Sequence, residues 1–125
     1  MGLSVKDMIE AANAAVPRVT PAEATQLIAS GNVLVVDVRD PAEVQSSGKV
    51  AGAINVPRGF LEFRADPAMP SHDKHFDKTK TVILYCASGG RSALGGKTLK
   101  DMGYGKVYNL GAFKDWVESG GAVDK

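Results

Sequence analysis

Cysteine occurs once in these 125 residues, at position 86, so no disulfide can form within the chain. Histidine occurs twice, as His72 and His75, in a polar, proline-flanked stretch near Asp73 and Asp77. Two imidazoles fall short of a structural zinc site, and no metal is expected. Neither sign of charge is in excess. The 15 Lys and Arg against 14 Asp and Glu leave a formal net charge of +1, too little to draw nucleic acid or anionic lipid. Long apolar runs are missing as well: no stretch approaches the roughly 20 residues that span a bilayer, and "MGLSVKDMIEAANAAVPRVT" has no signal-peptide core. The expected compartment is the cytoplasm, with no membrane or nucleic-acid partner. No internal repeat, low-complexity tract or linker interrupts the chain, which at 44% hydrophobic residues can bury one core unaided.

What is present reads as strands alternating with helices. Ser4 with Asp7, and Thr20-Pro21 with Glu23, have the spacing of capping boxes, each followed by apolar residues at helical intervals. Asp40-Pro41 with Glu43 repeats the device and predicts a short helix to about Ser46. Val33 to Asp37, "VLVVD", and Thr81 to Tyr85, "TVILY", are apolar without alternation, as expected of strands covered on both faces. Ala53 to Pro57 and Lys106 to Asn109 are shorter strand candidates. A helical turn is expected around Phe60 to Arg64, a helix from Ser92 to Met102, and a last one carrying Phe113, Trp116 and Val117. This order specifies an α/β domain with a largely parallel sheet, whose ligands gather beyond the carboxyl ends of the strands. Residues 1–19 are expected to form a helical extension, 20–120 the domain, and 121–125 a short tail.

Cys86 stands at one such strand end, followed by Ala87, Ser88, Gly89, Gly90, Arg91 and Ser92. Free N–H groups and the positive end of a helix dipole favour an anion there, and a thiolate is one. The two glycines allow a tight loop to turn several N–H groups inward, and Arg91 adds positive charge. A lowered thiol pKa follows. The competing reading is an inert, buried cysteine closing a core strand.

Cys-x4-Arg-Ser at Cys86 to Ser92 resembles the active-site loop of the rhodanese family of sulfurtransferases. Three further segments are similar to that family and occur in its order: "VVDVRDPAE" at Val35 to Glu43, "GKVAGAINVP" at Gly48 to Pro57, and "VYNLGAFKDW" at Val107 to Trp116. Lys49 stands where the family usually has His, and Ala112 where it has a second Gly. The resemblance implies a three-layer domain, a central, mostly parallel sheet of about five strands between helices. It also implies a two-step transfer through a Cys86 persulfide, from a small sulfur-containing anion such as thiosulfate to a thiol or cyanide, with an acceptor protein as another possible partner. The N–H groups of Ala87 to Arg91 would hold the charge, and no general base, metal or organic cofactor is needed. Asp37, Arg39 and Glu43 are expected to be scaffold near the site. Arg91 has two open roles, contact with substrate or pairing with an acid such as Glu43. Arg58 is either an attractor of the anionic donor or an isolated surface arginine.

"GGKT" at Gly95 to Thr98 imitates a phosphate loop, but Arg91 occupies the place of that motif's first Gly and the segment falls inside a helix. Its glycines are expected to permit close helix packing. A cysteine phosphatase or arsenate reductase is the nearest enzymatic rival, although its loop holds one residue more between Cys and Arg. A rhodanese-like binding or regulatory module without sulfur chemistry is the non-enzymatic one.

Overall fold

The computed structural model describes residues 2–125, so residue 1 of the expected extension lies outside the described residues. Helix α1 spans Val5–Ala15 and α2 spans Pro21–Ser30. Both capping boxes form as the spacing predicts. Ser4 Oγ accepts from Asp7 N at 3.0 Å while Ser4 N donates to the Asp7 carboxylate at 3.1 Å, and Thr20 and Glu23 exchange the same pair at 3.1 and 2.8 Å. Strand β1 is Val33–Asp37, α3 Pro41–Ser47, β2 Lys49–Val50 and β3 Ile54–Asn55. A 3-10 turn at Arg58–Phe60 runs into α4, Leu61–Ala65. The chain then forms β4 (Thr81–Cys86), α5 (Gly90–Asp101), β5 (Lys106–Ala112), α6 (Phe113–Glu118) and β6 (Val123–Asp124).

The central sheet has the order β3-β1-β4-β5 and is parallel throughout. Alternation along each strand sorts its residues between two cores. Leu34, Val36, Val82, Leu84 and Cys86 meet Val16, Leu61, Leu99 and Tyr104, contributed by the α1, α4 and α5 side. Val35, Ile83, Tyr85 and Leu110 meet Ala24, Phe113 and Trp116 from α2 and α6. Three layers result, and Cys86 belongs to the α5 face.

Where about five strands are expected, the central sheet holds four; β2 and β6 form a separate antiparallel pair. Glycines with positive φ at 48 and 52 lie on either side of β2 and turn the chain there. Residues 121–125 are more than a tail, because Ala51 N donates to Ala122 O at 3.0 Å and Lys49 Nζ pairs with Asp124 at 3.3 Å.

The glycines of "GGKT" do lie within α5. A Cβ on Gly95 would stand 2.9 Å from Leu61 Cδ2, and one on Gly96 3.0 Å from Val16 Cγ1. Two interior glycines cost a helix about 1 kcal/mol each, which close packing on α4 and on the end of α1 offsets here.

Candidate active site

Cys86 closes β4 and is 1% exposed. The chain leaves it through exposed Ala87 and Ser88, then turns at Gly89, whose φ of +99° is left-handed and favours glycine. Helix α5 begins at once, at Gly90 instead of the expected Ser92. Its early start places the first three helical N–H groups, which have no acceptor within the helix, directly beside the sulfur loop. Gly89 N donates to Cys86 Sγ at 3.0 Å. Burial pushes the thiol up, but hydrogen bonds from the Ser92 hydroxyl and from the N–H groups of Ser92, Ser88 and Gly89 outweigh it. Cys86 is held below the ordinary thiol value.

The Ser92 contribution has a condition attached. Its hydroxyl oxygen lies 2.7 Å from Asn109 Oδ1, 3.2 Å from Gly89 O and 3.5 Å from Cys86 Sγ, yet it carries one proton. The nearest acceptor is Asn109, so the hydroxyl favours the thiolate only when that proton turns toward sulfur. The main-chain N–H groups have no such competition. Asn109, 1% exposed, also accepts from Gly111 N at 2.8 Å and donates through Nδ2 to Gly89 O at 3.2 Å. It is the buried brace of the loop and is not among the residues expected at the site. A polar residue inside the apolar run of β5 was the available sign, since a buried amide must find partners.

Arg91 is near enough to Cys86 for their charges to couple, but its hydrogen bonds go to a carboxylate. Its Nη1 and Nη2 donate to Glu43 Oε1 and Oε2 at 2.8 and 3.0 Å, a bidentate pair that ties α5 to α3. That bond holds the Glu43 carboxyl at about 2, well below the carboxylate range, and raises the guanidinium further. Of the two roles open for Arg91, pairing with Glu43 is the one this geometry contains.

Comparison with known proteins fits this arrangement. The Rhodanese-like domain profile matches residues 20–119. The chain belongs to the rhodanese-like domain family. It is 33% identical over 90 residues to a sulfurtransferase of Allochromatium vinosum, covering 71% of this chain and 76% of that protein. It is 30% identical over 112 residues to the human thiosulfate:glutathione sulfurtransferase, covering 84% and 96%. Among solved structures, a Rhodopseudomonas palustris protein described as of unknown function and a possible tyrosine phosphatase superposes with a TM-score of 0.91. That match is at 37% identity, over 99% of this chain and 96% of the other.

Within this rhodanese-like domain one departure from the family pattern is remote from Cys86 and the other is its neighbour across the sheet. Lys49 opens β2 and pairs with Asp124. Ala112 ends β5 opposite Cys86 and serves as N-cap of α6.

Asp37 and Arg39 lie beneath the site, on the sheet face opposite Cys86. Arg39 Nη2 donates to Asp37 Oδ2 at 2.6 Å, and its other nitrogens to Asp37 Oδ1 at 3.0 Å and Ser47 Oγ at 2.8 Å. The guanidinium covers the Phe113 ring at 4.4 Å and the Tyr85 ring at 5.7 Å. With exposures of 4% and 0%, this pair is an internal tie between β1 and the end of α3. Arg58 is not brought to the loop. It donates to Glu62 at 2.8 Å and Thr98 at 3.1 Å, beside the third turn of α5.

A further cation, Arg18, lies near the loop although nothing in its local sequence places it there. Pro17 to Val19 are stitched to β5, with Asn109 N donating to Pro17 O at 2.9 Å and Val19 N to Asn109 O at 3.1 Å. The exposed Arg18 side chain lies against the backbone of Gly111, beside Gly89.

His72 and His75 gather no further ligands: His75 Nδ1 lies 2.7 Å from Asp73, and no metal-holding cluster occurs among the described residues. No helix among them is long and apolar enough to cross a membrane. A cavity of about 460 Å³ between α2 and Trp116 contains no residue of the cysteine loop.

Proposed function

We propose that this rhodanese-like domain is a sulfurtransferase that carries sulfane sulfur on Cys86, taking it from thiosulfate or a related donor and passing it to a thiol or cyanide. The observation that supports the reading is the position of the Cys86 sulfur. It ends a buried strand, accepts the Gly89 N–H at 3.0 Å, and faces the start of α5. In the first step the thiolate attacks the outer sulfur of thiosulfate. A new S–S bond forms at Cys86, the old S–S bond breaks, and sulfite leaves with the electron pair. In the second, an acceptor thiolate attacks the terminal sulfur and departs as a persulfide, returning the Cys86 thiolate. Every species on the loop is anionic, and inward N–H groups suit each of them without rearrangement. The named activities of the Allochromatium and human relatives support the same reading.

The phosphatase alternative, raised by the Rhodopseudomonas neighbour, has two observations against it. Four residues separate Cys86 from Arg91, one fewer than a phosphatase loop, and Arg91 is engaged by Glu43 instead of facing an anion. Intact mass after incubation with thiosulfate tests the proposal. A gain of one sulfur atom, abolished in Cys86→Ser, supports it; a folded, reduced sample that gains nothing rejects it. Hydrolysis of an aryl phosphate by the unmodified protein would favour the phosphatase.

A further inference from the structure

Four arginines stand around the carboxyl end of the sheet, and three have partners. Arg39 holds Asp37, Arg91 holds both oxygens of Glu43, and Arg58 holds Glu62 and Thr98. Among the described residues no carboxylate lies within ion-pairing distance of Arg18. Its place is nevertheless built. The backbone on either side is bonded to Asn109, and the guanidinium occupies the space that a Cβ at Gly111 would take, with Cζ 2.9 Å from that point. Gly111 has a left-handed φ of +92°. Arg18 Nη1 lies 3.9 Å from where a Cβ on Gly89 would stand, and Gly89 is the residue whose N–H reaches Cys86 Sγ.

We propose that Arg18 binds the oxyanion end of the sulfur donor, the oxygens that leave as sulfite, while the loop N–H groups receive the transferred sulfur. The inference rests on the sulfurtransferase reading above. Cys86 Sγ is buried in the loop, so a donor can present only its outer sulfur there, and its oxygens stay at the rim. An anionic donor approaching a thiolate is repelled, and a cation without a carboxylate partner at that rim offsets the repulsion. A guanidinium also presents paired donors to two oxygens at once.

Two reagents of nearly equal size separate charge recognition from loop integrity: iodoacetate carries a carboxylate, iodoacetamide does not. Arg18→Ala is expected to slow persulfide loading from thiosulfate roughly tenfold or more, and to lower the iodoacetate-to-iodoacetamide rate ratio at Cys86 similarly. The iodoacetamide rate itself should stay within about twofold of wild type, and Arg18→Lys should recover part of both losses. Equal slowing with both alkylating reagents would mean that Arg18 only props the loop, and overturns the proposal, as does unchanged loading. A charge preference confined to unloading, faster with mercaptoacetate than with 2-mercaptoethanol, overturns it in favour of an acceptor site. If wild-type protein takes no sulfur at all, the sulfurtransferase reading fails, and the alkylation ratio still reports separately whether Arg18 recognises an anion.

Discussion

Asn109 Oδ1 stands 2.7 Å from Ser92 Oγ, closer than Cys86 Sγ does at 3.5 Å. The hydroxyl proton is therefore shared between a fixed amide and a sulfur whose charge changes during the proposed cycle. Ser92→Ala removes a donor available to the thiolate and is expected to raise the Cys86 titration midpoint, read from alkylation rate against pH. Asn109→Ala should do something different. It leaves Gly111 N without its buried acceptor, takes one of several donors from Gly89 O, and should lower stability by about 1–3 kcal/mol in urea titration. A Ser92→Ala midpoint equal to wild type would mean that the hydroxyl never turns to sulfur.

The Arg91–Glu43 pair has a defined pH window. Glu43 is held at about 2, below the ordinary carboxylate value of 4.5, so its contribution is present above pH 4.5 and is lost as pH falls toward 2. Both side chains are about one-third exposed, which limits the gain to about 0.2–1 kcal/mol. The stability difference between wild type and Glu43→Gln should be constant from neutral pH to about 5 and shrink in stronger acid. A difference that grows on acidification would contradict the pairing.

Asp37 and Arg39 behave as an internal unit. Removing one partner, as in Arg39→Leu, strands a buried carboxylate and should cost about 3–5 kcal/mol. Replacing both with apolar residues of similar volume should recover much of that loss. Chemical denaturation of the two single variants and the double variant measures the coupling. Additive losses would show that the two side chains are independent.

The sequence discloses these features unevenly, for physical reasons. Capping boxes at Ser4 and Thr20, and the Asp40 N–H bonded to the Glu43 carboxylate, act over three residues, so their helices can be read from local spacing. "TVILYC" followed by paired glycines likewise predicts a strand ending in a loop. Asn109 marks itself as a polar group inside β5, but the partners that make it a brace cannot be read this way. The brace depends on a one-residue bulge, with Leu84 opposite Asn109 but Tyr85 opposite Gly111, which leaves Leu110 unpaired. Nothing local in "VYNLGA" specifies that shift. Arg18 is hidden for a similar reason, since its neighbour Gly111 is 93 positions along the chain and only sheet pairing joins them. The short β2–β6 pair joins Lys49 to Asp124, 75 positions apart, and its sequences are too brief to show alternation.

The pH dependence of Cys86 alkylation by iodoacetamide tests the central claim most directly, because that reagent reads the fraction of thiolate without requiring sulfur transfer. A rate that levels off with a midpoint clearly below about 8.5, and a Gly89→Ala variant shifted upward, is the predicted result. A wild-type midpoint at or above that value would show that the loop N–H groups do not stabilise the anion, and would contradict the account.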